Sequence, residues 1–351
     1  MKNCPYALPA MRDRCPPRGR FSSWDGPAMK KLLLGAAAAL ACATQVHAQS
    51  AADAWPSRPV RVIVPFTAGS FTDTAARAMS RELSASLGQQ FVVENRGGAG
   101  STIGTDVAAK AAPDGYTFVV TDNSFAVSSA LYASLPYDPK KDIVQVAELA
   151  EAPAVLVGRT ELPQKDLKSV IAAAKAQPDK LTFGSGGQGS SAHLAMEELL
   201  LQTGSRMVHV PYKGIAAAIL DVVAQRIDVA IGSVGSTVQF IKDGRVRGLA
   251  LSGKTRHPMF PQVPTFAEAG FPDYGVMYWF GVMAPAGIPP AILDKMQAAV
   301  QQATRAPKLR EVFEAAGVQP SGTGGAEFGR RVADETQMWK RVIEKAGIKP
   351  E

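Results

Sequence analysis

The chain has 351 residues, 46% hydrophobic and 20% charged, with a formal net charge of +7 at pH 7. That length suffices for two α/β domains with cores of their own. Seven of the 38 Lys/Arg and two of the 31 Asp/Glu fall within residues 1–48, so the remainder carries 31 against 29, a net +2, with no basic run interleaved with aromatics, and nucleic acid is not expected as a partner.

The N-terminus reads as a targeting segment. Lys30 and Lys31 precede the apolar run LLLGAAAALACA (residues 32–43), and Val46-His47-Ala48 offers a small-x-small cleavage site. This predicts a secretory signal peptide starting at Met29 and cut after Ala48, too short to span a membrane, with residues 1–28 as an upstream extension. The expected location is the periplasm. Cys4, Cys15 and Cys42 all precede the cut, so the mature chain has no thiol chemistry and no disulfide. A lipid anchor on Cys42 is not expected, because Ala39-Leu40-Ala41 lacks the leucine usual three residues before such a cysteine.

From Trp55 onward strands and helices alternate, the pattern of a parallel α/β architecture. A β-branched strand over residues 60–64 stops at Pro65, and a helix opens at Asp73 with Ala75, Ala76, Met79, Leu83 and Leu87 on one face, closed by Gly88. Between them lie Phe66, Thr67, Ala68, Gly69, Ser70, Phe71 and Thr72. Such a strand–loop–helix turn aims free backbone N–H groups and a positive dipole end into the loop, which suits an anion without a cationic side chain. An ordinary βα turn reads the same way, and Asp73 fits equally as a first-turn acid favoured by the dipole. Phe71, large and apolar in a polar loop, suggests a wall against something.

A strand over 90–93 leads through the glycine-rich loop RGGAGS (96–101) into a helix over 103–111, and Pro113-Asp114-Gly115 turns into a strand over 117–121. Asp122, Asn123 and Ser124 sit where that strand ends, placed to line a cleft. After the polar loop LPYDPKKD (135–142), strands over 143–149 and 154–157 cross into a second unit. That unit holds helices over 167–176, up to Gly204, over 215–224 and ending at 239–243, with strands over 181–183, 207–210, 229–231 and 247–251. A buried strand over 276–283 carries the chain back, and helices over 291–304, 308–316 and 326–346 finish it.

Gly184-Ser185-Gly186-Gly187-Gln188-Gly189 matches the dinucleotide fingerprint, but the next strand ends in Pro211-Tyr212-Lys213, with no acid for a ribose. What survives is a second anion cradle, with Ser190 or Ser191 capping a helix. His193 with Ser185, Ser190 or Ser191 is the one hydrolase-like grouping, and the nucleophile-elbow pattern G-x-S-x-G is absent from the chain. No His pair has metal-ligand spacing, and no cofactor is expected. Tyr212, Lys213 and Gly214 occupy a third βα turn, readable as ligand contacts or as a solvated loop.

Five motifs in order, PFTAGSFTDTAAR (65–77), ENRGGAGSTIGTDVAAKAAPDGYT (94–117), GSGGQGSSAHLAMEEL (184–199), VPYKG (210–214) and PQVPTFAEAGFP (261–272), resemble the tripartite tricarboxylate transporter solute receptors, also called Bug proteins. The family commonly has Pro-Gly-Gly where this chain has Ala68-Gly69-Ser70. The resemblance implies an α/β periplasmic binding protein of the two-lobed, Venus-flytrap type II fold, each lobe a mostly parallel sheet flanked by helices. Residues 51–152 with 276–351 would form lobe one and 153–275 lobe two, hinged near Ala150 and Tyr278. A monomer would capture a small carboxylate between the lobes and deliver it to integral-membrane transporter subunits. Phe66 to Asp73, Asn123 and Ser124 would face Ser185, Gly189, Ser190, Ser191 and Tyr212 to Gly214. Phe71, Phe125 and Tyr212 tilt the expectation toward an aromatic or larger acid. A sensing subunit for a two-component kinase and a secreted hydrolase are the alternatives.

Overall fold

The computed structural model describes residues 54–349. The expected signal peptide, the Met29 start, the Ala48 cleavage site and Cys42 lie outside the described residues. Among those described, no helix is long and apolar enough to cross a membrane.

Strands β1 (Val60–Val64), β2 (Phe91–Asn95) and β3 (Thr117–Asp122) run parallel in the order β2-β1-β3. β1 and β3 are near-continuous apolar runs and are buried almost throughout, as strands covered on both faces must be. The second parallel set is β6 (Val208–Pro211), β5 (Thr182–Ser185) and β7 (Val229–Ser233), with β5 in the middle. Between the two sets lie the long strands β4 (Ile143–Gly158) and β9 (Met277–Pro285), antiparallel to each other and to their outer neighbours β3 and β7. β8 (Arg247–Leu251) and the two-residue β10 (Gln319–Pro320) also pair antiparallel with β4. The sheet is therefore mixed. Each set is parallel where crossover helices connect its strands and antiparallel where one continuous strand leads from one set to the next.

The two strands read at 143–149 and 154–157 are one strand, β4. It pairs with β9 as far as Pro153 opposite Met277, and with β7 from Ala154 opposite Ser233. Register shifts at Gln145/Ala147 and Glu148/Ala150 bend it on the way, as bulges do. Ser252 pins the changeover: its N–H donates to Ala154 O (2.8 Å), its Oγ accepts from Ala154 N (2.8 Å) and donates to Met277 Sδ (3.4 Å).

Helices α1 (Phe71–Leu87), α2 (Thr102–Ala109) and α3 (Ser124–Leu131) accompany the first parallel set. α4 (Leu167–Ala176), α5 (Ser191–Thr203), α6 (Ile215–Val223) and α7 (Val234–Lys242) accompany the second. α8 (Pro290–Ala303), α9 (Pro307–Ala315) and α10 (Gly325–Ala346) complete the chain, and α10 packs on α3, β4 and α5. α1 begins two residues before the expected Asp73, because the Ser70 Oγ accepts from Asp73 N (3.2 Å) and so makes Ser70 the cap. Gly88 ends it in the left-handed region (φ 71°), its N–H bonded to Ser84 O, a conformation glycine adopts without a Cβ penalty.

The return strand β9 is fastened to α3 and α10 by one polar knot. Asn123 Nδ2 donates to Met277 O (3.0 Å) and Glu335 Oε1 (2.6 Å), and Asn123 Oδ1 accepts from Trp279 N (2.9 Å). Glu335 also accepts from the indole N–H groups of Trp279 and Trp339, both fully buried side chains. Replacing Glu335 by Ala leaves two buried indole donors without an acceptor, at about 1–3 kcal/mol each before relaxation. Glu335→Ala should lower the unfolding free energy by about 2–3 kcal/mol in urea titration, and Glu335→Gln, which keeps one acceptor, should recover part of it.

Candidate functional site

Two helix starts face one crevice. Its walls include Ser70, Phe71 and Thr72 at the start of α1 and Ser190, Ser191 and Ala192 at the start of α5, around a narrow cavity of about 30 Å³. Phe66, Ile215 and Phe280 supply apolar wall, while Ser124, Ser233 and Ser236 supply hydroxyls and Asp122 and Tyr278 line it as well. No Lys, Arg or His is among the lining residues.

The α1 start has four amides without an intrahelical acceptor, as any helix has. Two are used locally: Asp73 N by the Ser70 hydroxyl, and Ser70 N by Thr67 O (3.4 Å). Phe71 N and Thr72 N have no acceptor among the described residues and belong to the crevice wall. Asp73 itself is occupied elsewhere. Its carboxylate accepts from Gly69 N (3.2 Å), Asn95 Nδ2 (2.9 Å) and Arg77 Nε (3.0 and 3.1 Å). Burial pushes its pKa up, but the hydrogen bonds from Arg77, Asn95 and Gly69 and the Arg77 charge outweigh that and hold it below the ordinary carboxylate value. Asp73 thus braces the loop, and the Gly69 amide is spent on it. Thr67, Ala68 and Gly69 are exposed at the rim, outside the crevice wall.

At the opposite start, Ser190 Oγ caps α5 by accepting from His193 N (3.3 Å), and Ser191 reaches across. Ser191 N donates to Ser124 Oγ (3.0 Å), whose hydroxyl donates to Ser191 Oγ (3.3 Å). The two parts of the chain also touch elsewhere, including at two glycines. A Cβ on Gly100, in the RGGAGS loop at φ 56°, would lie 2.7 Å from Gln188 O and 2.9 Å from Gly189, and one on Gly214 would lie 2.8 Å from Thr67 Oγ1. Backbone meets backbone at Gly100 and backbone meets side chain at Gly214, and the two parts are in contact there.

Other expected contacts are turned to structural use. Asn123 is consumed by the Glu335–Trp279 knot and does not line the crevice. The Tyr212 hydroxyl donates to Asp221 Oδ2 (2.7 Å), and burial followed by that bond pushes its pKa up to about 12. Lys213 is exposed. Ser185 is fully buried, its Oγ 2.6 Å from His209 Nε2. His209 stacks between Phe183 (4.8 Å) and His193 (4.0 Å), and burial together with the His193 charge brings its pKa down to about 3. His193 Nδ1 accepts from Gly189 N (3.4 Å) and its Nε2 lies 3.6 Å from Glu197 Oε1, so neither ring nitrogen activates Ser190 or Ser191 in the manner of a hydrolase. Phe71 is at once core and wall, with its ring edge-on to Phe280 (4.7 Å) and Phe313 (5.5 Å). Phe125 is buried and lines another recess, not this one.

Sequence reasoning placed Asp122 beside a cleft, which it lines, and missed Tyr278, Phe280, Ser233, Ser236, Ile215 and Ala192. Asp122 had a usable signal, since it ends a strand whose neighbours point to a cleft. Tyr278 and Phe280 had none, because an uninterrupted apolar strand does not say which residues face a cavity.

Similarity to known proteins identifies the family and the fold. Residues 75–348 match the family model described as the tripartite tricarboxylate transporter family receptor. The protein BugT of Bordetella pertussis is 38% identical over 306 residues, covering 87% of this chain and 94% of BugT. The solved structure of the periplasmic binding protein BugD superposes with a TM-score of 0.81 at 30% identity, covering 85% of this chain and all of BugD. That of Rpa4515 from R. palustris, determined with adipate, also has a TM-score of 0.81, at 32% identity and the same coverage. The fold is thus that of a two-lobed periplasmic binding protein, and the chain belongs to the tripartite tricarboxylate transporter receptor family.

Proposed function

We propose that this receptor closes on a small organic carboxylate held in the crevice between the starts of α1 and α5, and presents the closed form to integral-membrane transporter subunits. The observation that carries this reading is the pair of uncommitted amides, Phe71 N and Thr72 N, on the wall of a crevice with no basic side chain. Backbone N–H groups at a helix start offer an anion fixed partial positive charge without desolvating a lysine or arginine. Adipate, the acid bound to the relative Rpa4515, is of the same chemical class.

In this reading residues 51–152 with 276–351 form one lobe and 153–275 the other, hinged where β4 changes partners at Pro153–Ala154 and where β9 begins. The ligand's contacts are Ser70, Phe71, Thr72 and Ser124 from one side and Ser190 and Ser191 from the other. The receptor acts as a monomer in the periplasm. Closure is favoured by the contacts a ligand makes with both lobes at once and loses on opening.

A melting screen with adipate, malate, benzoate and glutamate, against glucose as a neutral control, tests the ligand class. At a ligand concentration about 100 times its Kd, stabilisation by roughly 2.7 kcal/mol should raise Tm by several degrees. A rise with glucose alone would exclude the amide cradle. Gly100→Ala tests closure separately. The added methyl meets Gln188 O and Gly189 across the crevice, so ligand affinity should fall at least tenfold by calorimetry. The ligand-free protein should lose only about 1 kcal/mol, the cost of a left-handed alanine.

A further inference from the structure

Asp122 and Tyr278 form the polar floor of the crevice, and nothing in the reading so far uses them. Asp122 is 8% exposed and Tyr278 4%. Asp122 Oδ1 accepts from Ser124 N (2.8 Å), and Ser124, Thr72 and Ser191 line the crevice with it. Tyr278 Oη, beside Ser191 and Asp122, is a buried oxygen without a hydrogen-bond partner. Burial, followed by the Asp122 charge, pushes the phenol far up, so it stays a donor at any working pH.

The charges around Asp122 are accounted for element by element. On α1, Asp73 and Arg77 pair with each other. On α5, His193 faces Glu197. On α10, Arg331 pairs with Glu148 and Glu151, while Glu335 is held by Asn123 and two indoles. Tyr278 on β9 is neutral. None of these brings a cation to Asp122.

Thr72 joins the two features. Its N–H is one of the open amides, and its side of the crevice is shared with Asp122. An anion on that amide therefore shares the crevice with a second carboxyl, and two neighbouring carboxylates with no cation among the lining residues favour keeping one proton between them. Resting on the carboxylate-receptor reading, we propose that the site takes up its carboxylate together with one proton, held between the ligand's carboxylate and Asp122, with Tyr278 Oη as a second donor to the same oxygens. The ligand class is then an acid with no ammonium group beside that carboxylate.

Burial has already lifted the Asp122 pKa from 3.8 to about 6. A carboxylate bound beside it raises that pKa further, so the bound state holds more protons than the free state above pH 6, and affinity must fall as pH rises. The slope is about tenfold per pH unit between the free and bound pKa values. Ordinary ligand carboxyls ionise well below that window and do not produce it.

Calorimetry at pH 7.5 in two buffers of different ionisation enthalpy, with whichever of adipate, malate and benzoate binds most tightly, counts the protons directly. The expected result is uptake of about one proton by the wild-type receptor and an affinity about tenfold lower at pH 8 than at pH 7. Asp122→Asn should bind with no proton uptake and a flat pH profile. Carboxylate binding to the wild type without proton uptake overturns this proposal while leaving the receptor reading intact, whether or not the variant folds. Uptake that persists in folded Asp122→Asn also overturns it. Tighter binding of glutamate without a proton change would mean that Asp122 serves as an ionised partner of an ammonium, and would overturn it too. Failure of every acid to bind the wild type removes both readings.

Discussion

Peptide N–H groups aimed into a space from which basic side chains are excluded set the terms for the rest of this structure. A lysine in the same place would bind anions more strongly and less selectively, and would cost desolvation each time the lobes shut. Partial charges fixed by a helix pay no such cost at closure, because their orientation is covalent. The supporting residues follow from this. Asp73, Arg77 and Asn95 hold the α1 entry rigid, Ser70 and Ser190 cap the two helices, and the apolar rings of Phe66, Phe71 and Phe280 keep water from competing.

The same economy explains why several polar residues near the crevice do not serve it. Asn123, Tyr212 and Ser185 each stand at the end of a strand, where a side chain can turn either to a ligand or to the neighbouring helix. Each turns to the protein: Asn123 to β9 and α10, Tyr212 to Asp221, Ser185 to His209. A buried polar group must find a partner in every state of the molecule, and a ligand is present only in some. Tyr278 Oη, like Thr121 Oγ1 on the neighbouring strand, has no partner among the described residues, and of the two only Tyr278 lines the crevice.

Much of the fold was legible in the residues. Helix α4 and strand β8 fall on the expected limits, because Asp166 forms a capping box with Ser169 and a short apolar run marks the strand. The α1 cradle was legible from the order strand, small residues, helix. Helix α3 was not: Ser124-Phe125-Ala126-Val127-Ser128 is buried on every side, so it has no amphipathic period to read. The unity of β4 was hidden by Pro153, which reads as a break but occupies the place where the strand changes partners. The floor of the site was the least legible part. Which face of β9 meets the crevice is decided by residues more than a hundred positions earlier, and no local pattern carries that information.

The position of β9 has a consequence for synthesis. It lies between β3 and β4, so the sheet holding the N-terminal half lacks a central strand until the chain has been made as far as Pro285. Helix α10, made last, is what covers α3 and α5. The half that begins at Val60 therefore waits for its central strand, whereas Val155 to Val263 hold a hydrophobic cluster of their own and settle earlier. The architecture that shapes the crevice also leaves its first wall unfinished until the polypeptide is nearly complete.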